Sequence, residues 1–220
     1  MINAAKLYQA STREIPSAVL VTAGICVFGW FVHGGSWQRV ISFSGLALAA
    51  AVIGGSVQHV RSLLRVFGFV PVNRELLPYC MAGIMFGMLL GILYNLLETD
   101  ALLPPTVTGF VFLAPLIGIT EELVFRGFVQ SQLAASSGAL VSVLMTAAGH
   151  TLYKYLVIKT VTIDLQTHLP SLVVGTFLVG LVLGFMKNKT GSIIPPALTH
   201  ACFDILVYGG VTLAPVWVWN

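Results

Sequence analysis

Six side chains in this chain of 220 residues could do chemistry together: Glu121, Glu122, Arg126, His150, His200 and Asp204. All six lie in apolar stretches. An ionised group inserted there without a partner costs on the order of 3 kcal/mol. A single buried ion pair reads equally well as a lock between helices, but six such residues on three apolar segments are harder to read that way. Glu122 and Arg126 are spaced i and i+4, so they share a helix face and can neutralise each other. Glu121 sits about 100° round the same helix. It has no obvious local partner unless Arg126 serves both acids. A carboxylate so placed suits a general base. His200 and Asp204 are also i and i+4, which puts an imidazole and a carboxyl on one face. His150 ends the run Thr146-Ala147-Ala148-Gly149-His150, whose small residues leave room beside it. Either histidine alone reads as a helix-to-helix hydrogen bond. As a set, these residues offer a candidate general base with two imidazoles and a second carboxyl near it, the group types of acid–base chemistry. His33, His59 and His168 fall near span ends or loops and read as interfacial.

The elements that must hold these residues follow from composition. Of the chain, 57% is hydrophobic and 9% is charged, against about 25% charged in a soluble domain. That excludes a water-soluble globule and a disordered chain. The apolar runs are continuous rather than alternating, which argues against a membrane β-barrel. The fold class expected is all-α, a polytopic transmembrane helical bundle of about seven to eight spans at roughly 20 residues each. The apolar runs cover 17–32, 40–60, 77–97, 106–135, 138–158, 171–186 and 193–209. A helix start is expected at Pro105. The run 106–135 is too long for one upright span, so it should be tilted, broken near Pro115 and Gly118, or extended past the bilayer. His150 then lies nearer the outer end of its span than Glu121 does, unless the fifth span reaches about residue 158 or the fourth helix is displaced. Gly83, Gly87 and Gly91 form a stripe that reads as helix packing. The tail, with two Trp in its last residues, reads as interfacial.

Loop charges suggest an orientation. With the N-terminus cytoplasmic, the inner segments hold Lys6, Arg13, Arg61, Arg65, Arg74, Lys187 and Lys189, and the outer ones hold Arg39, Lys154 and Lys159. The stretch 61–76 should lie in the interface. The first apolar run reads as an anchor rather than a cleaved signal, since no small-residue cleavage site follows it. Cys26, Cys80 and Cys202 lie inside apolar runs without CxxC spacing and read as packing residues. The net charge of +3 is spread out, which gives no support for nucleic acid as a partner. There is no HExxH zincin motif, and no GxSG or GxGD. A metal site of Glu121, His150 and His200 is chemically open, since His₂Glu is a known zinc set.

Glu121-Glu122-Leu123-Val124-Phe125-Arg126 resembles the EExxxR motif of the CAAX prenyl protease type II family, also called CPBP or ABI. His150 and then His200-Ala201-Cys202-Phe203-Asp204, as HxxxD/N, follow in the family's order. The resemblance covers roughly residues 105–210. It suggests a catalytic core over 105–220 and motif-free helices over 1–104, joined in one membrane domain. Two positions depart from the pattern. Thr146 stands where the family often has Phe, and Asp204 where eukaryotic members carry Asn. The resemblance implies that Glu121 activates water and His150 orients it, that His200 and Asp204 hold the scissile carbonyl and its oxyanion, and that Glu122 and Arg126 support the site. It implies an intramembrane endopeptidase of the cell membrane, its site opening to the cytoplasm, acting on a lipidated or membrane-embedded peptide amid membrane lipid. No cofactor is required in that reading, with zinc the open exception. The alternatives are a proton- or ion-coupled transporter, since buried Glu, His and Asp also make proton relays, and a non-catalytic scaffold or immunity protein of the same family.

Overall fold

The structure is a computed structural model that describes residues 14–56, 67–69, 72–99, 101–160 and 169–210. His59, His168, Arg61, Arg65 and the tryptophans of the tail lie outside the described residues. The described residues are all-helical, without strands. Helix α1 spans Glu14–Phe31, α2 Ser36–Ser56 and α3 Leu77–Thr99. Helix α4 spans Phe110–Glu122 and passes into a π-helical segment, Leu123–Val129, which leads straight into α5, Gln130–Ser137. Helix α6 spans Ala139–Lys159, α7 Leu169–Thr190 and α8 Ile194–Tyr208.

Five of these helices, α1, α2, α3, α6 and α7, are long and apolar enough to cross a membrane. Helix α8 has 15 residues, or about 22 Å at 1.5 Å per residue, short of the ~30 Å hydrocarbon core. The spans expected from the sequence are therefore present as helices, with two differences. The fourth does not start at Pro105. It begins at Phe110, after a stretch in which the Thr108 N–H donates to Gly209 O at 2.9 Å. Nor is it broken near Pro115 and Gly118. Helix α4 runs through Pro115, and the irregularity comes later, at Leu123–Val129. A π segment is a helix with an added residue in the turn, and such segments gather at functional sites.

Glycines set how closely the helices approach. A Cβ on Gly83 would lie 2.7 Å from Pro195 O, and one on Gly91 would lie 2.8 Å from Leu206 Cβ. One on Gly87 would strike the backbone carbonyl of Thr199. The stripe is thus the groove in α3 that receives α8. Gly24 and Gly45 do the same for α1 and α2, where a Cβ on Gly24 would sit 2.6 Å from Gly45 O. Sharp corners end two helices. Gly138, at φ 82°, turns the chain from α5 into α6, and Gly191, at φ 67°, closes α7 with its N–H donating to Lys187 O. Pro195 and Pro196 open α8, where no intrahelical N–H is lost.

The apolar core joins the first helix to the π segment. Ala18, Val21 and Ile25 of α1 pack with Phe125, Phe128, Val129 and Leu133, all buried. The N-terminal helices carry no motif, yet α1 forms the wall behind the segment that carries Arg126.

Candidate active site

Four elements converge at mid-bundle: α4 with its π segment, α6, α7 and α8. Glu121, Glu122, Arg126, His150 and Asp204 are all buried, and the His200 side chain is 14% exposed. Helix α6 reaches Lys159, so His150 stands half-way along it, level with Glu121 on the neighbouring helix. The first of the two ways of reconciling their depths is the one the structure takes. Gly118, one turn before Glu121, has no side chain because His200 and Asp204 occupy that space.

Arg126 holds the centre. Its Nη1 donates to Glu122 Oε1 at 2.9 Å and meets His150 Nδ1 at 2.6 Å, and its Nη2 reaches Gly180 O at 3.5 Å. A guanidinium can only donate. His150 Nδ1 must therefore accept, and the ring carries its proton on Nε2, which donates to Glu121 Oε2 at 3.2 Å. Both nitrogens of His150 are taken. The ring stacks on Phe125 with centroids 4.5 Å apart, so its plane is fixed as well as its tautomer. His200 Nδ1 donates to Glu122 Oε1 at 3.0 Å. Its Nε2 faces Glu121 Oε2 and Asp204 Oδ1, each at 3.8 Å.

The sequence left Glu121 without a partner and placed Lys154 among the outer loop charges. The structure corrects both. Lys154 Nζ donates to Glu121 Oε1 at 2.6 Å, and its side chain is 19% exposed. Arg126 does not serve both acids. Glu122 has Arg126, and Glu121 has Lys154 and His150. A signal for Lys154 was present, because His150 and Lys154 are i and i+4, the spacing already noted for the other two pairs. Phe125 was also missed, although it lies within the motif itself. Thr146, in place of the family's Phe, is buried one turn before His150.

The cleft beside this cluster is lined by Glu121, Lys154, His200 and Asp204 at its polar end. It extends along Gly118, Ile117 and Ala114 to Phe110 and Tyr208, the first residue of α4 and the last of α8. Glu122 and Arg126 lie behind it. The three residues considered for zinc do not fit a metal. Neutral imidazole binds metal through an unprotonated nitrogen. His150 Nε2 is protonated in this arrangement, and the Lys154 ammonium holds the other oxygen of Glu121. Among the described residues, no group of three or more His, Cys, Asp or Glu is arranged to hold a metal ion.

A second buried polar cluster lies toward the opposite end. Gln130 Nε2 donates to Gly184 O at 2.9 Å and to Asn188 Oδ1 at 3.0 Å, and Lys187 Nζ donates to Ser131 Oγ at 2.7 Å. These bonds tie α5 to α7.

Residues 103–206 match a family model described as type II CAAX prenyl endopeptidase Rce1-like. No curated protein and no solved structure matches the chain.

Proposed function

We propose, from the match of residues 103–206 to a family model described as type II CAAX prenyl endopeptidase Rce1-like, that this membrane protein is an intramembrane endopeptidase whose water is activated by Glu121. The observation that carries the reading is the setting of Glu121. One oxygen is held by His150, the other by Lys154, and the carboxylate faces the cleft. A general base must lie within about 2.6–3.2 Å of the proton it takes, or one water away. A water in the cleft against Glu121 meets that condition.

The roles follow from the bonds each residue makes. Glu121 takes a proton from water. His150, with both nitrogens committed to protein partners, fixes the carboxylate rather than the water. Arg126 sets the tautomer of His150 and neutralises Glu122. Glu122 in turn holds Nδ1 of His200 and leaves Nε2 toward the substrate. Asp204 sits beside that nitrogen. No step passes through a metal.

The substrate is a membrane-associated protein or peptide. The family description names prenylated CAAX proteins, so a farnesylated CAAX peptide is the first to try, followed by an apolar membrane-embedded peptide. The cell membrane is part of the proposal, and the charge bias of the loops supports a cytoplasmic N-terminus. The test is cleavage of these two peptides by purified protein in detergent, read by mass spectrometry of the products. Glu121→Gln should abolish cleavage while the thermal unfolding of the protein changes little. A purified Glu121→Gln protein with full activity would sink the reading.

A further inference from the structure

The groups around Glu121 include few that carry positive charge in every protonation state of the histidines. A tetrahedral intermediate needs a donor aimed at its oxyanion. Asp204, when ionised, only accepts. His200 spends its Nδ1 proton on Glu122, so its Nε2 donates only when the ring is an imidazolium. Arg126 is 1% exposed and engaged with Glu122, His150 and Gly180. The cation that both touches Glu121 and lines the cleft is Lys154, an ammonium with three donors and no need of a tautomer. We propose that Lys154 is a catalytic residue that donates to the oxyanion, an inference that rests on the protease reading and assigns it a cationic donor beside the base.

The alternative occupant for the ammonium is the free carboxylate at the end of a substrate. Distance decides against it. Glu121 acts through one water, so the carbonyl under attack lies within about 6 Å of the carboxylate, two hydrogen-bond lengths away. A carboxylate three residues beyond the scissile bond lies roughly 10 Å from that carbonyl in an extended chain, at about 3.3 Å per residue. A lysine in contact with the base is placed for the first anion and not for the second.

The charge balance also favours it. Water gives a proton to Glu121 while its oxygen bonds to the carbonyl carbon, and the C=O π pair moves onto the carbonyl oxygen. Negative charge thus leaves Glu121 and appears a few ångströms away on the oxyanion. The ion pair with Lys154 weakens at that moment, and the ammonium follows the charge on its flexible stem. On collapse the C=O bond re-forms, the C–N bond breaks, and the proton on Glu121 passes to the departing nitrogen. No other reactant is needed.

The experiment uses whichever of the two peptides the wild-type protein cleaves, together with the phosphinate isostere of that peptide, whose tetrahedral anion mimics the intermediate. Lys154→Met should lower kcat by about 100- to 1,000-fold, the loss typical of one oxyanion donor, with KM within about threefold if the contact is made only in the transition state. It should weaken phosphinate binding by a similar factor and leave binding of the uncleaved peptide unchanged. Lys154→Arg should keep kcat within about tenfold of wild type and keep the preference for phosphinate over peptide, since it keeps a cationic donor. That variant carries the test if Lys154→Met does not fold. Wild-type kcat in Lys154→Met, equal loss of phosphinate and peptide affinity, or loss of the preference in Lys154→Arg overturns the inference. Wild-type protein that cleaves neither peptide overturns the protease reading and this inference together, whereas active protein indifferent to Lys154 overturns the inference alone.

Discussion

Arg126 organises the site because it can only give hydrogen bonds. That one property fixes the tautomer of His150, commits its second nitrogen to Glu121, and removes the pair from the candidates for a metal site. Asp204 is a different case. It adds a carboxylate beside His200 where an amide would supply a donor, so its charge is not what the oxyanion needs. Asp204→Asn should therefore keep kcat within about threefold of wild type, since an asparagine N–H can donate where the carboxylate cannot. A drop of a hundredfold, measured on the same peptide, would show that the acid itself takes part. The identity of five of the seven polar residues at the site was legible in their types and pairings: Glu122 with Arg126, His200 with Asp204, and Glu121 as the acid left over. His150 was legible only in company. Lys154 was read only as a loop charge, because a lysine near a span end is counted with the loops by the positive-inside rule. Only three-dimensional packing shows that its amine turns inward, toward an acid 33 residues earlier in the chain.

At the scale of the helices, the position of the proposed catalytic groups depends on the close approach of α3 to α8. The glycine stripe of α3 was visible as a stripe, but nothing in the sequence says which helix it receives. It receives the one with His200 and Asp204. Gly87 is the tightest point, since its neighbour is the backbone of Thr199, which cannot rotate away as a side chain would. Gly87→Ala should destabilise the protein by about 1–3 kcal/mol, the usual range for overpacking, and lower activity as α8 is pushed outward. Gly54→Ala in α2 is the matched control. No atom lies within 4 Å of that position, so the change should be neutral or stabilising by about 0.4–1 kcal/mol. Thermal unfolding of both variants in detergent checks the pair, and equal behaviour would contradict the packing described. The π segment was the least legible element. Pro115 and Gly118 looked like the breaking point because they are the residues that usually break helices. The irregularity instead falls where Arg126 must be buried and where Gly127 lets Phe67 come close, a Cβ there lying 2.9 Å from its ring.

For the molecule as a whole, two expectations about sidedness are set against each other by the helix directions. A cytoplasmic N-terminus puts the start of α4 and the end of α8 on the outer side. The cleft runs toward that end, to Phe110 and Tyr208. A cytoplasmic opening and a cytoplasmic N-terminus therefore exclude one another. Removing Lys154 from the loop count strengthens the second, since Lys154 belongs to the site. In a variant with Cys26, Cys80 and Cys202 replaced by Ala, a membrane-impermeant maleimide applied to intact cells should label Gly109→Cys and spare Ala139→Cys. The reverse pattern would invert the molecule and restore the cytoplasmic opening. The cleft's direction has a consequence in time as well as in space. With the cleft facing outward, a peptide made in the cytoplasm meets Glu121 only after export across the bilayer, so cleavage would follow secretion and could not precede it.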